Sequence, residues 1–348
     1  MNLLIITQKV DINDDNLSFF HGWLLEFAKN VEKLTVICLY QGEHELPSNV
    51  KVLSLGKENN VSKIKYILNF YKYIWQERKN YDSVFVHMNQ IYIILGGLFW
   101  RAWGKKVSLW YAHGGVSFSL RIAEKLANNI FTSTQSGFRL KSNKLNIVGQ
   151  GIDTSLFKPK SKKETNIFEI IYFGRISPVK DLETAIEATE ILHKKGEKIR
   201  FRLVGGAGRP SQENYLKGLK DLVSSKGLDD IIKFTGPMPH EAILGFLQES
   251  DLHINTSHTG SLDKTVLEAM AVDIPILTCN EALKEVLGEY TDQLMFYKKD
   301  SKSLADKIEG VIKMGSTERG VLGQKLREIV ISDHSLSSFI KKIIGKLK

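Results

Sequence analysis

FEIIYFGRISPVKDLETAIEA, residues 168–188, decides the fold. Its Ile, Phe and Tyr predict a buried strand ending at Gly174, and the apolar spacing that follows predicts a helix over Asp181 to Lys195. Arg175 and Lys180 stand on the loop between them. Downstream the unit repeats as FRLVGG, a helix from Gln212 to Lys226, IIKFTG, a helix from His240, and DLHINTS. Upstream the alternation runs through LLIIT, Leu17 to Lys29, LTVICLY, Ser62 to Lys79, SVFVHM, Ile91 to Trp103 and KVSLWYA. Such alternation predicts parallel sheets covered by helices, and the restart at 168 predicts two doubly wound α/β domains. The length of 348 residues agrees, because a single core stops growing beyond about 250 to 300 residues.

The glycines, proline and clustered charge of GQGIDTSLFKP (149–159) and KSKKETN (160–166) are linker chemistry. The expected domains are therefore 1–155 and 156–330, followed by the basic amphipathic segment 331–348. That last segment fits a helix packing back on the N-terminal domain better than a membrane anchor. A hydrophobic fraction of 43% with 25% charged residues excludes disorder and fibre. MNLLIITQKV lacks the basic start and long apolar run of a secretion signal and reads as a first buried strand. The longest apolar stretch, Ile91 to Trp100, falls well short of the roughly 20 residues that span a bilayer. Cys38 and Cys279 lie in apolar runs of different halves, which predicts buried free thiols and a cytoplasmic location. Residues 1–158 hold 19 Lys and Arg against 12 Asp and Glu, so most of the net charge of +9 falls in the first half. That bias suits nucleic acid, anionic lipid or a phosphorylated substrate. With no recognisable nucleic-acid module, nucleic acid is not an expected partner.

Ligands of doubly wound domains bind at the carboxyl edge of the strands, where Arg175 and Lys180 are expected. A guanidinium fork and an ammonium there can hold a diphosphate, or can be two solvated charges. In HTGSLDKTVLEAMAVDIPIL (258–277) a glycine-bearing loop leads into a helix starting near Asp263. Free amides and the helix dipole favour phosphate at such a start. Glu268, one turn inside among apolar neighbours, needs a partner: the hydroxyls of a ribose, or a structural Lys or Arg. FRLVGGAGRP supplies Gly205, Gly206 and Gly208 without the spacing of a dinucleotide fingerprint. Gly236 ends another strand, where main-chain groups can meet a base or simply turn. LWYAHGG (109–115) places His113 at the end of a strand. No metal-ligand spacing and no nucleophile elbow is present.

Taken in order, these segments resemble the GT-B-fold retaining glycosyltransferases of family 4, the glycosyl transferases group 1, across essentially the whole chain and most strongly over 147–290. IVGQGIDTSLFKP matches the interdomain linker, GRISPVKD the phosphate-binding Arg and Lys, and VGGAG, IKFTGPMPHEAI and LEAMAVDIPIL follow at familiar spacings. The resemblance implies an α/β GT-B fold, two Rossmann-like domains facing a central cleft. It implies transfer from a UDP- or GDP-linked sugar, without metal or other cofactor, to a saccharide or lipid-linked acceptor in cell-surface polysaccharide or glycan biosynthesis. Arg175 and Lys180 would neutralise the leaving diphosphate, Glu268 would bind the ribose, and His113 would lie near the donor sugar. Gly174, Gly205, Gly236, Ser261, Thr265 and Val266 would complete the donor site, with amides of the 261–266 loop on phosphate.

Two departures stand out. The family's second glutamate, eight residues before Glu268, is Gly260 here, with Asp263 or loop amides as candidates to take its place. The family's glycine-rich loop after the first strand is replaced by QKVDINDDNLSFF (8–20). These departures keep two alternatives open, a GT-B-type sugar-nucleotide 2-epimerase and a non-catalytic nucleotide-sugar-binding partner subunit. The basic, aromatic stretches KIKYILNFYKYIWQERK (63–79) and IYIILGGLFWRAWGKK (91–106) predict peripheral contact with an anionic membrane at its inner face. They fit equally a core with a solvated lysine face.

Overall fold

The computed structural model describes residues 1–14, 17–161, 165–239 and 242–348. They form two compact units, one of residues 1–153 with 333–348 and one of residues 154–332.

In the first unit the strands are β1 (Asn2–Val10), β2 (Lys33–Gln41), β3 (Val50–Ser54), β4 (Ser83–His87), β5 (Lys106–Trp110), β6 (Asn129–Thr132) and β7 (Leu145–Ile147). They make one sheet in the order β3-β2-β1-β4-β5-β6-β7, every pairing parallel. Its helices are α1 (Phe19–Asn30), α2 (Lys63–Gln76), α3 (Ile91–Ala102) and α4 (Phe118–Leu126). The period of two along β1 explains why LLII is continuously apolar. Leu3 and Ile5 enter one core with Phe20, Trp23 and Phe27 of α1, while Leu4 and Ile6 enter the opposite core with Phe70, Ile93 and Leu120 of the other helices. The short strands β3, β6 and β7 were not evident in the sequence.

The C-terminal helix Leu336–Leu347 belongs to this unit. It places Leu336, Phe339, Ile340, Ile343, Ile344 and Leu347 in the α1 core, so its whole apolar stripe is covered. The chain is fastened on its return: Ile152 N–H donates to His334 O at 2.7 Å, and Leu336 N–H to Ile152 O at 2.7 Å.

The second unit has β8 (Phe168–Phe173), β9 (Ile199–Val204), β10 (Ile232–Gly236), β11 (Leu252–Asn255) and β12 (Ile276–Thr278) in a parallel sheet ordered β10-β9-β8-β11-β12. Its helices include α5 (Leu182–Lys194), α6 (Glu213–Ser225), α7 (Ile243–Gln248) and α8 (Lys264–Ala271), followed by helices Ser301–Lys313 and Gly315–Ile329. The start expected for a helix at His240 lies outside the described residues. Both sheets have the doubly wound order, so the α/β class with Rossmann-like domains holds in each unit.

Among the described residues, no helix is long and apolar enough to cross a membrane. Cys38 and Cys279 are free and buried, and burial pushes each thiol up to about 12.

Candidate functional site

In the second unit the chain leaves β8 for one side of the sheet and returns to β11 on the other, so the loops after these two strands flank the topological switch point. A crevice at the carboxyl edge forms at such a point. The β8 loop carries Gly174, Arg175 and Lys180, and the β11 loop runs through Ser257 and Ser261 to α8.

Glycines with left-handed φ stand at the carboxyl ends of three neighbouring strands, Gly174 (140°) just after β8, Gly205 (138°) just after β9 and Gly236 (81°) as the last residue of β10. The backbones are in close contact, with Gly174 N–H donating to Val204 O and Gly205 N–H to Gly236 O, each at 3.0 Å. A Cβ at 205 would lie 2.0 Å from Gly174 O, so no larger residue fits there. The edge is thus a bare backbone rim.

Arg175 is exposed on this rim, and among the described residues its guanidinium has no hydrogen bond or ion pair. Its stem lies along the glycine-rich turn, since a Cβ at Gly208 would come within 2.0 Å of Arg175 Cδ. The loop itself is pinned from below by the buried Tyr172, whose hydroxyl donates to Arg175 O at 2.9 Å. Burial holds that phenol well above its ordinary range, so it stays a neutral donor.

Lys180 has a different environment. It closes the short turn Pro178–Lys180, and its Nζ donates to Asp263 Oδ1 at 2.8 Å and to Ser257 Oγ at 3.2 Å. The other oxygen of Asp263 accepts from Asn255 Nδ2 at 2.8 Å, and Asn255 Oδ1 accepts from Thr278 Oγ1 at 3.1 Å. Asp263, Asn255 and Thr278 form a polar chain that no sequence motif singled out as a group. The signal was present as Asn255, Thr256 and Ser257, three buried polar residues at the end of β11. Asp263, the candidate to take the place of the missing glutamate, has both carboxylate oxygens hydrogen-bonded, one by Lys180 and one by Asn255. Gly260 itself has φ 63°, a left-handed conformation in which a glutamate would be strained.

Helix α8 starts immediately after Asp263. Because that carboxylate turns to Lys180 and Asn255, it provides no side-chain cap to the helix. Thr265 lies beside the rim, its Cγ2 3.9 Å from where a Cβ on Gly174 would be. Val266 is fully buried and its N–H donates to Asp263 O at 3.2 Å, so both its side chain and its amide are engaged within the protein. Ser261 accepts from Asn280 Nδ2 at 2.8 Å through its carbonyl, which ties the loop down. Glu268 is 1% exposed, with Lys264 Nζ 3.7 Å away one turn earlier. Its carboxylate therefore has a cationic neighbour on its own helix.

His113 belongs to the first unit. It does not end a strand: β5 stops at Trp110. Tyr111 N–H still reaches Phe131 O at 2.9 Å, but Ala112 N–H turns to Met88 Sδ at 3.5 Å, so the chain has left the ladder. His113 is exposed in the following loop, where its Nδ1 accepts from Gly115 N–H at 3.0 Å. In the neutral ring the proton is therefore on Nε2. Among the described residues no cluster of three or more His, Cys, Asp or Glu has the arrangement of a metal site.

A putative colanic acid biosynthesis glycosyltransferase of Escherichia coli is 25% identical over 213 residues, 59% of this chain and 51% of that protein. The chain spans about half the length of the curated relatives it matches. Among solved structures, Anabaena HepE in complex with UDP superposes with a TM-score of 0.79 at 18% identity, covering 100% of this chain and 99% of the other. Its complex with UDP-glucose gives 0.75 at 17%, with 100% and 99% covered. At these identities the likeness establishes the fold. Residues 153–328, which include every part of the β8, β11 and α8 arrangement, match the family described as glycosyl transferases group 1. The chain belongs to the glycosyl transferases group 1 family.

Proposed function

We propose that the chain is a retaining glycosyltransferase moving a sugar from a UDP- or GDP-linked donor to a saccharide or lipid-linked acceptor in polysaccharide biosynthesis. One observation carries this reading: Arg175, unengaged among the described residues, stands on the glycine rim, while the same loop's Lys180 is held by Asp263 at the start of α8, which has no side-chain cap. As the bond from the sugar to the diphosphate breaks, negative charge grows on the terminal phosphate. Cations and amides already in place there lower the barrier without reorganising. Arg175 offers a bidentate fork to the phosphate, Lys180 a point charge, and the first turn of α8 its dipole and amides. Glu268 accepts from the ribose hydroxyls, with the Lys264 ammonium 3.7 Å from its carboxylate. His113 offers its Nε2 proton to the donor sugar.

The protein groups take the place of a metal ion, so EDTA is expected to leave the rate unchanged, and loss of activity restored by a divalent ion would refute this. The UDP and UDP-glucose complexes of the Anabaena protein support a nucleotide-sugar donor. The colanic acid relative supports polysaccharide synthesis, and the two free thiols support a cytoplasmic setting.

The deciding experiment is a panel of UDP-, GDP- and ADP-sugars with mixed saccharide and lipid acceptors, scored for nucleoside diphosphate release. Acceptor-dependent release from one donor, giving a product of the donor's anomeric configuration, is expected. Nucleotide binding without turnover would instead make the chain a non-catalytic nucleotide-sugar binder, the reading that Gly260 favours. Conversion of donor alone would make it an epimerase.

A further inference from the structure

Helix α2 carries two apolar stripes. Phe70 and Ile74 face inward and are buried. A second set, Ile64, Ile67, Leu68, Tyr71 and Trp75, follows helical spacing on the outside, with Ile64 71%, Leu68 58% and Trp75 54% exposed. Helix α3 adds Leu98 at 68% and Phe99 at 43%. The two sets meet through edge contacts of Tyr71 with Phe99 and of Trp75 with Trp103, both at 5.6 Å, along an apolar groove of about 500 Å³. The C-terminal helix differs: its apolar stripe is spent on the core.

We propose that this outer face of α2 and α3 docks on an anionic lipid bilayer. Neither helix contains an acidic residue, whereas Lys63, Lys65, Lys72 and Arg101 lie on them and Arg78, Lys79, Lys105 and Lys106 follow them. The acids that follow α2 in sequence are engaged, Glu77 with Lys51 at 2.6 Å and Asp82 as acceptor from Asn2 N–H at 2.8 Å. A second copy of the chain would bring cations against cations. An anionic lipid surface complements the lysines and accepts the protruding Ile and Leu side chains without a shaped pocket. Trp75 has its ring 4.5 Å from the Arg78 guanidinium, an apolar body beside a charged head that suits the headgroup level. The face lies within the first unit and stands whether or not the chain transfers sugar.

The test is flotation of the full chain with phosphatidylcholine vesicles, with and without phosphatidylglycerol, at low and high salt. Binding is expected only with phosphatidylglycerol, weakened by salt. The triple variant I64S/L68S/L98S should lose at least about tenfold in partitioning. K63Q/K65Q/K72Q should lose about fivefold per lysine. Both variants alter exposed side chains, and their thermal midpoints should match the parent. Absence of binding to anionic vesicles at low salt would overturn the proposal, as would unchanged binding by both folded variants. Self-association abolished by I64S/L68S/L98S, with vesicles ignored, would assign the face to a second copy instead.

Discussion

Arg175 and Lys180 share a loop, yet one is unengaged and the other is held by a carboxylate 83 residues further along the chain. Their substitutions should therefore differ. Arg175→Ala removes a charge that we propose is directed at the diphosphate, so turnover should fall at least about tenfold with little change in unfolding midpoint. Lys180→Ala should lower turnover by a similar factor of about ten, and in addition destabilise the unit by roughly 1 to 3 kcal/mol, because Asp263, 15% exposed, loses its cation. Asp263→Ala separates position from charge: the ammonium loses its carboxylate anchor and retains the 3.2 Å bond to Ser257 Oγ. Steady-state kinetics should show kcat down about tenfold with nucleotide affinity changed by less than about threefold, and unchanged kcat would show that Asp263 does not position Lys180. These interactions explain the limit of what the residues alone disclosed. Arg and Lys on a loop after a strand were legible, but an ion pair joining distant residues leaves no local signature.

At the scale of elements, the glycine rim and α8 depend on backbone fit. Gly205→Ala would force its Cβ to within 2.0 Å of Gly174 O at a φ that only glycine adopts readily. Chemical denaturation should show a loss of roughly 3 kcal/mol or more, and a loss below about 1 kcal/mol would mean that the two strand ends can separate freely. The central strands were legible because burial on both faces makes them continuous apolar runs such as LLII and IIYF. The edge strands of the first sheet were not: β3 and β7 include exposed positions, and β7 is only three residues long. His113 shows the same limit at a strand end. Tyr111 and Ala112 continue the apolar run past Trp110, while the hydrogen bonds leave the ladder there.

Across the whole molecule, each unit contains a buried histidine that links its stability to pH. His253 on β11 is fully buried against Phe173, and burial depresses it to about 3. In the first unit, burial depresses His334 to about 4. Both are neutral when folded, so below the ordinary histidine value near 6.5 the unfolded chain binds protons that the native chain does not. Stability is therefore complete above about pH 6.5 and falls as pH drops toward the folded values, by about 1.4 kcal/mol per pH unit for each histidine. His253→Leu should flatten this slope in the transition of its own unit between about pH 6.5 and 5, and an unaltered slope would remove His253 as its source. We propose that the Arg175 guanidinium on the glycine rim binds a diphosphate. Calorimetric titration of UDP and GDP into the parent chain and Arg175→Ala tests it most directly. One nucleotide should bind the parent and lose at least about tenfold in affinity, about 1.4 kcal/mol, in the variant. Equal affinity in the two proteins would contradict the claim.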